Sequence, residues 1–340
     1  MIRRAALAGV AALLTVAVGC RGPVVQSDPQ AQVPTSSRTP PPGTNWPVPP
    51  EQAERLLAKA PMEVDALEPT EHGVAGAMKG RVTFPRVHRD LEVKWKAVMP
   101  GHPDGWNNNP RKELATYVIQ QWFLAPQDYV VPTIAVRCVP LADYRRFDPD
   151  ATPTVKGTRC VLGTLSLWLD HVDVPKVLLD PARFATDPNY AYHLSNFNVL
   201  AYLVEHRDGR PGNILVAEDA ANRRVYAVDN GISFGGLVYN FLTTNWDVIR
   251  VPGIRRAVVE KLRAVGPDTL ATLGTLVELR ADANGVLQPV PVSPPIDPTE
   301  GVRIAGGRVQ MGLTSDEITG VSQRIAALLA QVDHGKLAVF

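Results

Sequence analysis

The stretch Tyr202–Gly235, YLVEHRDGRPGNILVAEDAANRRVYAVDNGISFG, constrains this chain more than any other. It sets three oxygen-bearing side chains at telling separations. Asp208 closes His206-Arg207-Asp208, and Asn213 follows after four residues. About one hairpin later, Asp229 ends the apolar run Val225-Tyr226-Ala227-Val228 and is followed by Asn230-Gly231. Phosphoryl transfer needs such a set: a carboxylate to orient the attacking hydroxyl, and an amide oxygen with a second carboxylate to hold Mg²⁺ on the phosphates. Taken singly, each group has a plainer reading. Asn-Gly between two apolar runs is a strong hairpin signal, because type I′ turns want positive φ. Asp208 alone has a plainer alternative as a turn or N-cap aspartate. The combination favours the metal and phosphate reading, with Asn213 and Asp229 as metal ligands, Asp208 as the catalytic carboxylate, and His206 and Arg207 as anchors of the loop.

The preceding segment offers the other parts of a nucleotide site. Gly73, Gly76 and Gly80 space a turn that leads into a strand, as a loop closing its N–H groups over phosphates requires. Such a turn is also common in any β-rich lobe. Leu91-Glu92-Val93-Lys94-Trp95-Lys96-Ala97 alternates, so Lys94 and Lys96 share the face opposite Leu91, Val93 and Trp95. Asn109-Pro110 reads as an N-cap followed by proline at the first helical position. The helix it opens carries Glu113 in its first turn and an apolar stripe of Leu114, Tyr117, Val118 and Trp122. A strand lysine paired with a glutamate of the next helix holds α- and β-phosphates in kinases. Lys96 with Glu113 is the candidate pair, Lys94 is the alternative, and spacing does not decide between them. Further strands are expected at 129–137 and 159–169.

Four segments in chain order carry a resemblance. They are Trp95-Lys96-Ala97, Lys112-Glu113-Leu114-Ala115-Thr116-Tyr117, Val131–Arg137 and Val228–Gly235 with its Asp229-Asn230-Gly231. Together they resemble the secreted, Golgi-type casein kinase family and, more distantly, type II phosphatidylinositol 4-kinases and HipA-like kinases. The resemblance implies an α+β, two-lobed protein-kinase-like fold, with a small β-rich lobe over 61–169 and a larger, mainly helical lobe over 170–340. It also implies ATP with Mg²⁺ or Mn²⁺, and it selects Lys96 over Lys94. Two positions depart from it: Asn213 stands where that family has a carboxylate, and Ala97 where it has proline.

The start of the chain reads as an address. Met1-Ile2-Arg3-Arg4 is basic, 5–18 is small or apolar, and Ala17-Val18-Gly19-Cys20 resembles a bacterial lipobox. The expectation is a signal peptide over 1–19, a lipid on Cys20 that anchors the protein at the membrane of the cell envelope, and a Pro-rich linker over 20–60. Within that linker, 51–60 has the pattern of one short helix. Cys138 and Cys160 remain, in strand-like runs. An oxidising compartment permits a disulfide between them, and two buried thiols are the alternative.

A formal net charge of +1 without a long run of one sign excludes a field that draws in nucleic acid. No G-x-S-x-G elbow, H-E-x-x-H or paired C-x-x-C is present, so the chemistry rests on the segments above. Late in the chain, 246–265 reads as helical. The Pro-rich stretch 284–307 reads as a surface loop or hairpin, and Thr314-Ser315-Asp316-Glu317 as a capping box opening a last helix. The function this supports is transfer of the γ-phosphoryl of ATP to a hydroxyl. The alternatives are a non-catalytic nucleotide-binding or scaffold lipoprotein, and an adenylyl transferase on the same fold.

Overall fold

The computed structural model describes residues 45–70, 76–104, 109–210, 212–235 and 245–340. The signal peptide, Cys20, most of the linker and Gly73 lie outside the described residues.

The first lobe begins earlier than the composition suggests. Residues 45–60, expected as the end of the spacer, are folded onto the first lobe, and the short helix expected over 51–60 is present. Helix α1 (Pro50–Lys59) buries Ala53, Leu56 and Leu57, and Val48 is buried just before it. Its proline sits at the first helical position, where the missing N–H costs nothing. Asn45 ties this segment across the molecule: its Nδ2 donates to the carbonyls of Asp170 and His171, each at 2.9 Å. Its Oδ1 accepts from the Tyr226 hydroxyl, also at 2.9 Å.

Strands β1 (Glu63–Pro69), β2 (Ala77–Phe84) and β3 (Arg89–Ala97) follow, then helix α2 (Pro110–Phe123), strand β4 (Ile134–Pro140), the short helix α3 (Leu141–Tyr144) and strand β5 (Cys160–Leu167). They form one antiparallel sheet in the order β1-β2-β3-β5-β4. β3 obeys its alternation, with Leu91, Val93 and Trp95 buried in the apolar core of this lobe and the two lysines on the other face. The Trp95 indole lies so close over β5 that a Cβ on Gly163 would fall 2.6 Å from its ring and 2.5 Å from the Lys96 carbonyl oxygen. Cys138 on β4 and Cys160 at the start of β5 form a disulfide.

Chain order then gives β6 (Val172–Asp173), α4 (Pro181–Thr186), α5 (Pro188–Leu203), β7 (Ile214–Ala217), β8 (Val225–Ala227), β9 (Gly253–Ile254), α6 (Arg256–Arg263) and α7 (Pro267–Ala271). Every residue of α5 from Tyr190 to Leu203 is buried, so this helix is the axis of the second lobe. Its start is capped by Asp187, which accepts from the amides of Asn189 and Tyr190. The helix expected over 246–265 is only α6. Pro252-Gly253 breaks the pattern before it, and β9 instead pairs in parallel with the C-terminal strand.

Within the stretch expected as a surface loop or hairpin, 287–290 and 302–305 are strands of a sheet, with an irregular connection over 291–301. β10 (Val277–Ala281), β11 (Leu287–Val290), β12 (Val302–Ala305) and β13 (Arg308–Met311) lie antiparallel in the order β11-β10-β13-β12. Leu279, Leu287, Val309 and Met311 pack on Val136, Cys138, Cys160 and Leu162 of the first lobe, so this sheet ties the two lobes together. Helix α8 (Ser315–Asp333) opens on the expected capping box, and β14 (Ala338–Val339) closes the chain. The result is an α+β, two-lobed architecture: a β-rich first lobe with one long helix, and a second lobe built around α5.

Candidate active site

The site lies where β3, α2 and the β7–β8 hairpin meet. From β3, Lys96 is buried and donates to Glu113 Oε1 at 3.1 Å and to Asp229 Oδ1 at 2.7 Å. Lys94, two residues earlier on the same face, donates to the Val228 carbonyl at 2.9 Å and lies 3.5 Å from Asp229 Oδ2. Both lysines therefore enter the site.

Helix α2 brings Glu113 there because its first turn is fixed at several points. Asn109 caps it by accepting from the Lys112 amide. Glu113 Oε2 accepts from the Asn230 amide at 3.1 Å, so one buried carboxylate holds both the strand lysine and the loop after Asp229. Lys112 Nζ donates to the Ser233 carbonyl at 2.7 Å, a second hold on the same loop. Arg111 donates to Asp104 and to Glu317 of α8, and Lys112 Nζ is 3.6 Å from the other Glu317 oxygen. The helix carrying Glu113 is thus latched to the end of the second lobe.

From below, α5 ends at Leu203 and the chain reverses through Glu205, at φ +56°. The His206 amide donates to the Ala201 carbonyl at 2.8 Å, which fixes the turn that leads to Asp208. Asn213 Nδ2 donates to Asp208 Oδ2 at 2.8 Å and to the Asp208 carbonyl at 3.0 Å. Arg210 Nε is 3.4 Å from the same Asp208 oxygen. The Val228 amide donates to the Asn213 carbonyl at 3.0 Å, which brings Asp229 beside the Asp208–Asn213 pair. Asn230-Gly231 does not close a two-residue hairpin; Asn230 is taken by Glu113, and Phe234 N–H donates to the Val204 carbonyl at 2.7 Å.

The electrostatics follow from crowding opposite charges out of water. Burial works against the charged form of Lys96, but Glu113 and Asp229 outweigh it and hold its pKa above the ordinary lysine value. Burial pushes Asp229 up, yet Lys96 and Lys94 hold its carboxyl well below the usual range. Glu113 is raised by burial, which its lysine partners only partly offset. Lys94 is lowered by burial. Burial also lowers His206, and neither ring nitrogen meets a hydrogen-bond partner among the described residues.

The structure thus brings together Lys96, Glu113 and Asp229, and separately Asp208 with Asn213, the two groups being joined across the β7–β8 hairpin. The glycines do not act as one loop. Gly76 has φ +68° and open space around it, and it leads directly into Ala77, which pairs with Lys96. Gly80 is a correction: it lies within β2 opposite Val93, on the face turned away from the lysines. A Cβ there would come 2.8 Å from Leu67, so its bareness serves strand packing rather than a ligand. Sequence reasoning missed Ile134, Thr164 and Ser166, which line the recess with Lys94, Lys96, Glu113 and Val228. Cross-strand register places Ser166 opposite Lys94 and Thr164 opposite Lys96, and only pairing across the sheet could reveal that.

Among the described residues no group of three or more His, Cys, Asp and Glu converges as a metal centre. The donors present suit a hard divalent cation that completes its shell with phosphate and water oxygens. The Asn213 amide nitrogen is engaged by Asp208, which leaves its amide oxygen free of that bond, and Asp229, whose pKa Lys96 and Lys94 hold low, follows Val228, the residue whose amide bonds the Asn213 carbonyl. A strand lysine tied to a helix glutamate, above a loop carboxylate and an amide, is the arrangement of a protein-kinase-like fold.

No family model matches the sequence, and neither does any curated protein. Among solved structures, the chain is similar to a crystal structure of the Golgi casein kinase, at 12% identity and a TM-score of 0.46, covering 84% of this chain and 75% of that one. A second, the Golgi casein kinase with Mn and ADP bound, is similar at 13% identity and a TM-score of 0.43, covering 85% and 78%.

Proposed function

We propose that the protein is a phosphotransferase that moves the γ-phosphoryl group of ATP to a hydroxyl acceptor. The observation that carries this reading is the convergence of Lys96 on both Glu113 and Asp229, with Asp208 held by Asn213 on the adjoining turn. Glu113 keeps Lys96 aimed at the phosphates and fixes the Asp229 loop through the Asn230 amide. Asp208 accepts a hydrogen bond from the acceptor hydroxyl and orients it for in-line attack on the γ-phosphorus, receiving the proton as the new O–P bond forms and the γ-phosphorus–bridging oxygen bond breaks to release ADP. Asn213 and Asp229 would hold Mg²⁺ or Mn²⁺, which neutralises charge on the phosphates when bound. Glu113, Lys112 and Glu317 hold α2 and the Asp229 loop to each other without a ligand, and a metal would take Asp229 from its pairing with Lys96 and Lys94. The resemblance of the first residues to a lipoprotein signal, together with the Cys138–Cys160 disulfide, supports an exported protein anchored by a lipid on Cys20 at the cell envelope.

The test is to incubate the purified protein and its Asp229→Ala variant with ATP and Mg²⁺ or Mn²⁺, resolving the nucleotide products. ADP from the wild type and none from the variant is the expected result. AMP with pyrophosphate would replace γ-phosphoryl by adenylyl transfer. Nucleotide binding without turnover would make the protein a non-catalytic binding module, and no binding at all would end the nucleotide reading.

A further inference from the structure

Helix α8 carries a second polar group on the side that bears Glu317. Arg324 lies two turns further along the helix and is buried. Its Nε donates to the Leu203 carbonyl at 2.8 Å, a group that the end of α5 leaves without an intrahelical partner. Its Nη1 donates to Glu205 Oε2 at 3.2 Å, and the other Glu205 oxygen accepts from Arg207, the residue before Asp208. Glu205 is where the chain reverses, in a left-handed backbone that few residues other than glycine take. That turn therefore leans on its side-chain contacts, and one of them comes from α8. The loop after Asp229 rests on the same turn, through the Phe234 amide on the Val204 carbonyl. Nothing in the stability of α8 calls for a guanidinium there. Val321, Ile325 and Leu328 already bury the apolar side of the helix in the core. A buried guanidinium costs free energy unless it is fully answered, and Arg324 Nη2 meets no partner among the described residues. One turn earlier stands Gly320, a poor helix residue, where a Cβ would fall 3.2 Å from Arg324 Nη1. Helix propensity is given up at the position that leaves this head group room.

We propose that Arg324 is a positioning residue for Asp208, acting through Glu205 and Arg207, and that α8 is the strut that sets the two halves of the site against each other. The first turn of α8 holds α2, and with it Glu113, through Glu317 and its contacts to Arg111 and Lys112. Two turns later, Arg324 holds the turn ahead of Asp208. One helix thus spans from the group that orients Lys96 to the group that orients the acceptor. The proposal rests on the phosphotransferase reading for the role of Asp208. It deepens that reading with a residue that reaches Asp208 only through others, yet fixes the carboxylate that aims the attacking hydroxyl.

The test combines crystal structures with steady-state ADP release from Mg-ATP, water serving as the acceptor, for the wild type, Arg324→Met, Arg324→Lys and Gly320→Ala. Methionine keeps the buried stem without the head group. Lysine keeps the charge but cannot serve the carbonyl and the carboxylate with one fork. Gly320→Ala keeps Arg324 and crowds its head group. Melting curves identify the folded variants, and Gly320→Ala deletes no polar group, so the result does not hang on a variant that fails to fold. In Arg324→Met, Asp208 should shift by about 1 Å or more relative to Glu113, with kcat lower by about tenfold or more and KM for Mg-ATP within about twofold of wild type. Arg324→Lys and Gly320→Ala should show smaller losses of the same kind. An arginine that serves stability alone would lower the melting temperature but leave Asp208 in place and kcat unchanged. That result in the folded variants overturns the proposal and leaves the phosphotransferase reading intact. A displaced Asp208 with wild-type kcat takes Asp208 out of the chemistry and overturns the proposal together with the role that reading gives it. A wild type that releases no ADP overturns both.

Discussion

Removal of the Glu317 carboxylate is the perturbation whose consequence is best defined. Glu317 accepts from the Thr314 amide at 2.9 Å as the return half of the α8 capping box. The same carboxylate receives Arg111 and lies 3.6 Å from Lys112 Nζ. Both cations are buried, at 6% and 7% exposure, so water does not replace what is lost. Arg111 would keep Asp104 at 2.6 Å, but Lys112 would keep only the Ser233 carbonyl. Breaking a buried pair from one side costs about 3–5 kcal/mol when the partner is left with no other anion. Arg111 retains one, so the ionic part falls to about 2–3 kcal/mol, and loss of the capping contact adds about 1 kcal/mol. Glu317→Ala should therefore lose about 3–4 kcal/mol, a fall in melting temperature of roughly 6–8 °C for a chain of this size. Glu317→Gln, which keeps an oxygen for Thr314, should lose about 2–3 kcal/mol. Denaturant unfolding of the two variants beside Lys112→Met and the double variant gives the coupling directly. Because the latch holds the helix that carries Glu113, ATP turnover should fall further than stability alone accounts for at a temperature where both variants are folded. A Glu317→Ala protein within about 1 kcal/mol of wild type would refute the reasoning, since a buried cation pair cannot lose its shared anion so lightly.

The disulfide closes a loop of 22 residues, so replacing Cys138 and Cys160 by serine should lower stability by about 3 kcal/mol; thiol titration of the denatured wild type should find neither cysteine reactive, and two reactive thiols would remove the bond. Burial, with Arg224 nearby, lowers His193 to about 3 from an ordinary 6.5. A histidine whose folded pKa is depressed destabilises the fold as pH drops below 6.5, by about 1.4 kcal/mol per pH unit, reaching about 2 kcal/mol at pH 5. Melting of His193→Gln across pH 7 to 4 should therefore fall less steeply than that of wild type, and parallel curves would reject the assignment.

Local rules carried much of the site into view. The alternation of β3 put Lys94 and Lys96 on one face, Asn109 with Pro110 marked the start of the helix bearing Glu113, and Thr314 with Glu317 marked the start of α8. Each depends on residues within one turn or one pleat of each other, where the chemistry of capping and periodicity is already complete. Proline content hid folded structure in two places, 45–50 ahead of the expected short helix and the strands at 287–290 and 302–305. Proline forbids continuation of a helix or a central ladder, but it does not forbid a helix start or a sheet edge.

Other features were decided only by packing. Glu113 meets the Asn230 amide across 117 residues of chain, and Arg111 meets Glu317 across 206. The removal of Gly80 from the site, the division of contacts between Lys94 and Lys96, and the sheet that ties β4 and β5 to the second lobe are of the same kind. The sequence by itself determined which groups exist and which face of their own element they take, because backbone sterics and short-range hydrogen bonds act between neighbours. The tertiary structure decided which of those faces meet. That choice belongs to the burial of apolar surface over the whole chain, which brings distant residues together without regard to their separation along it.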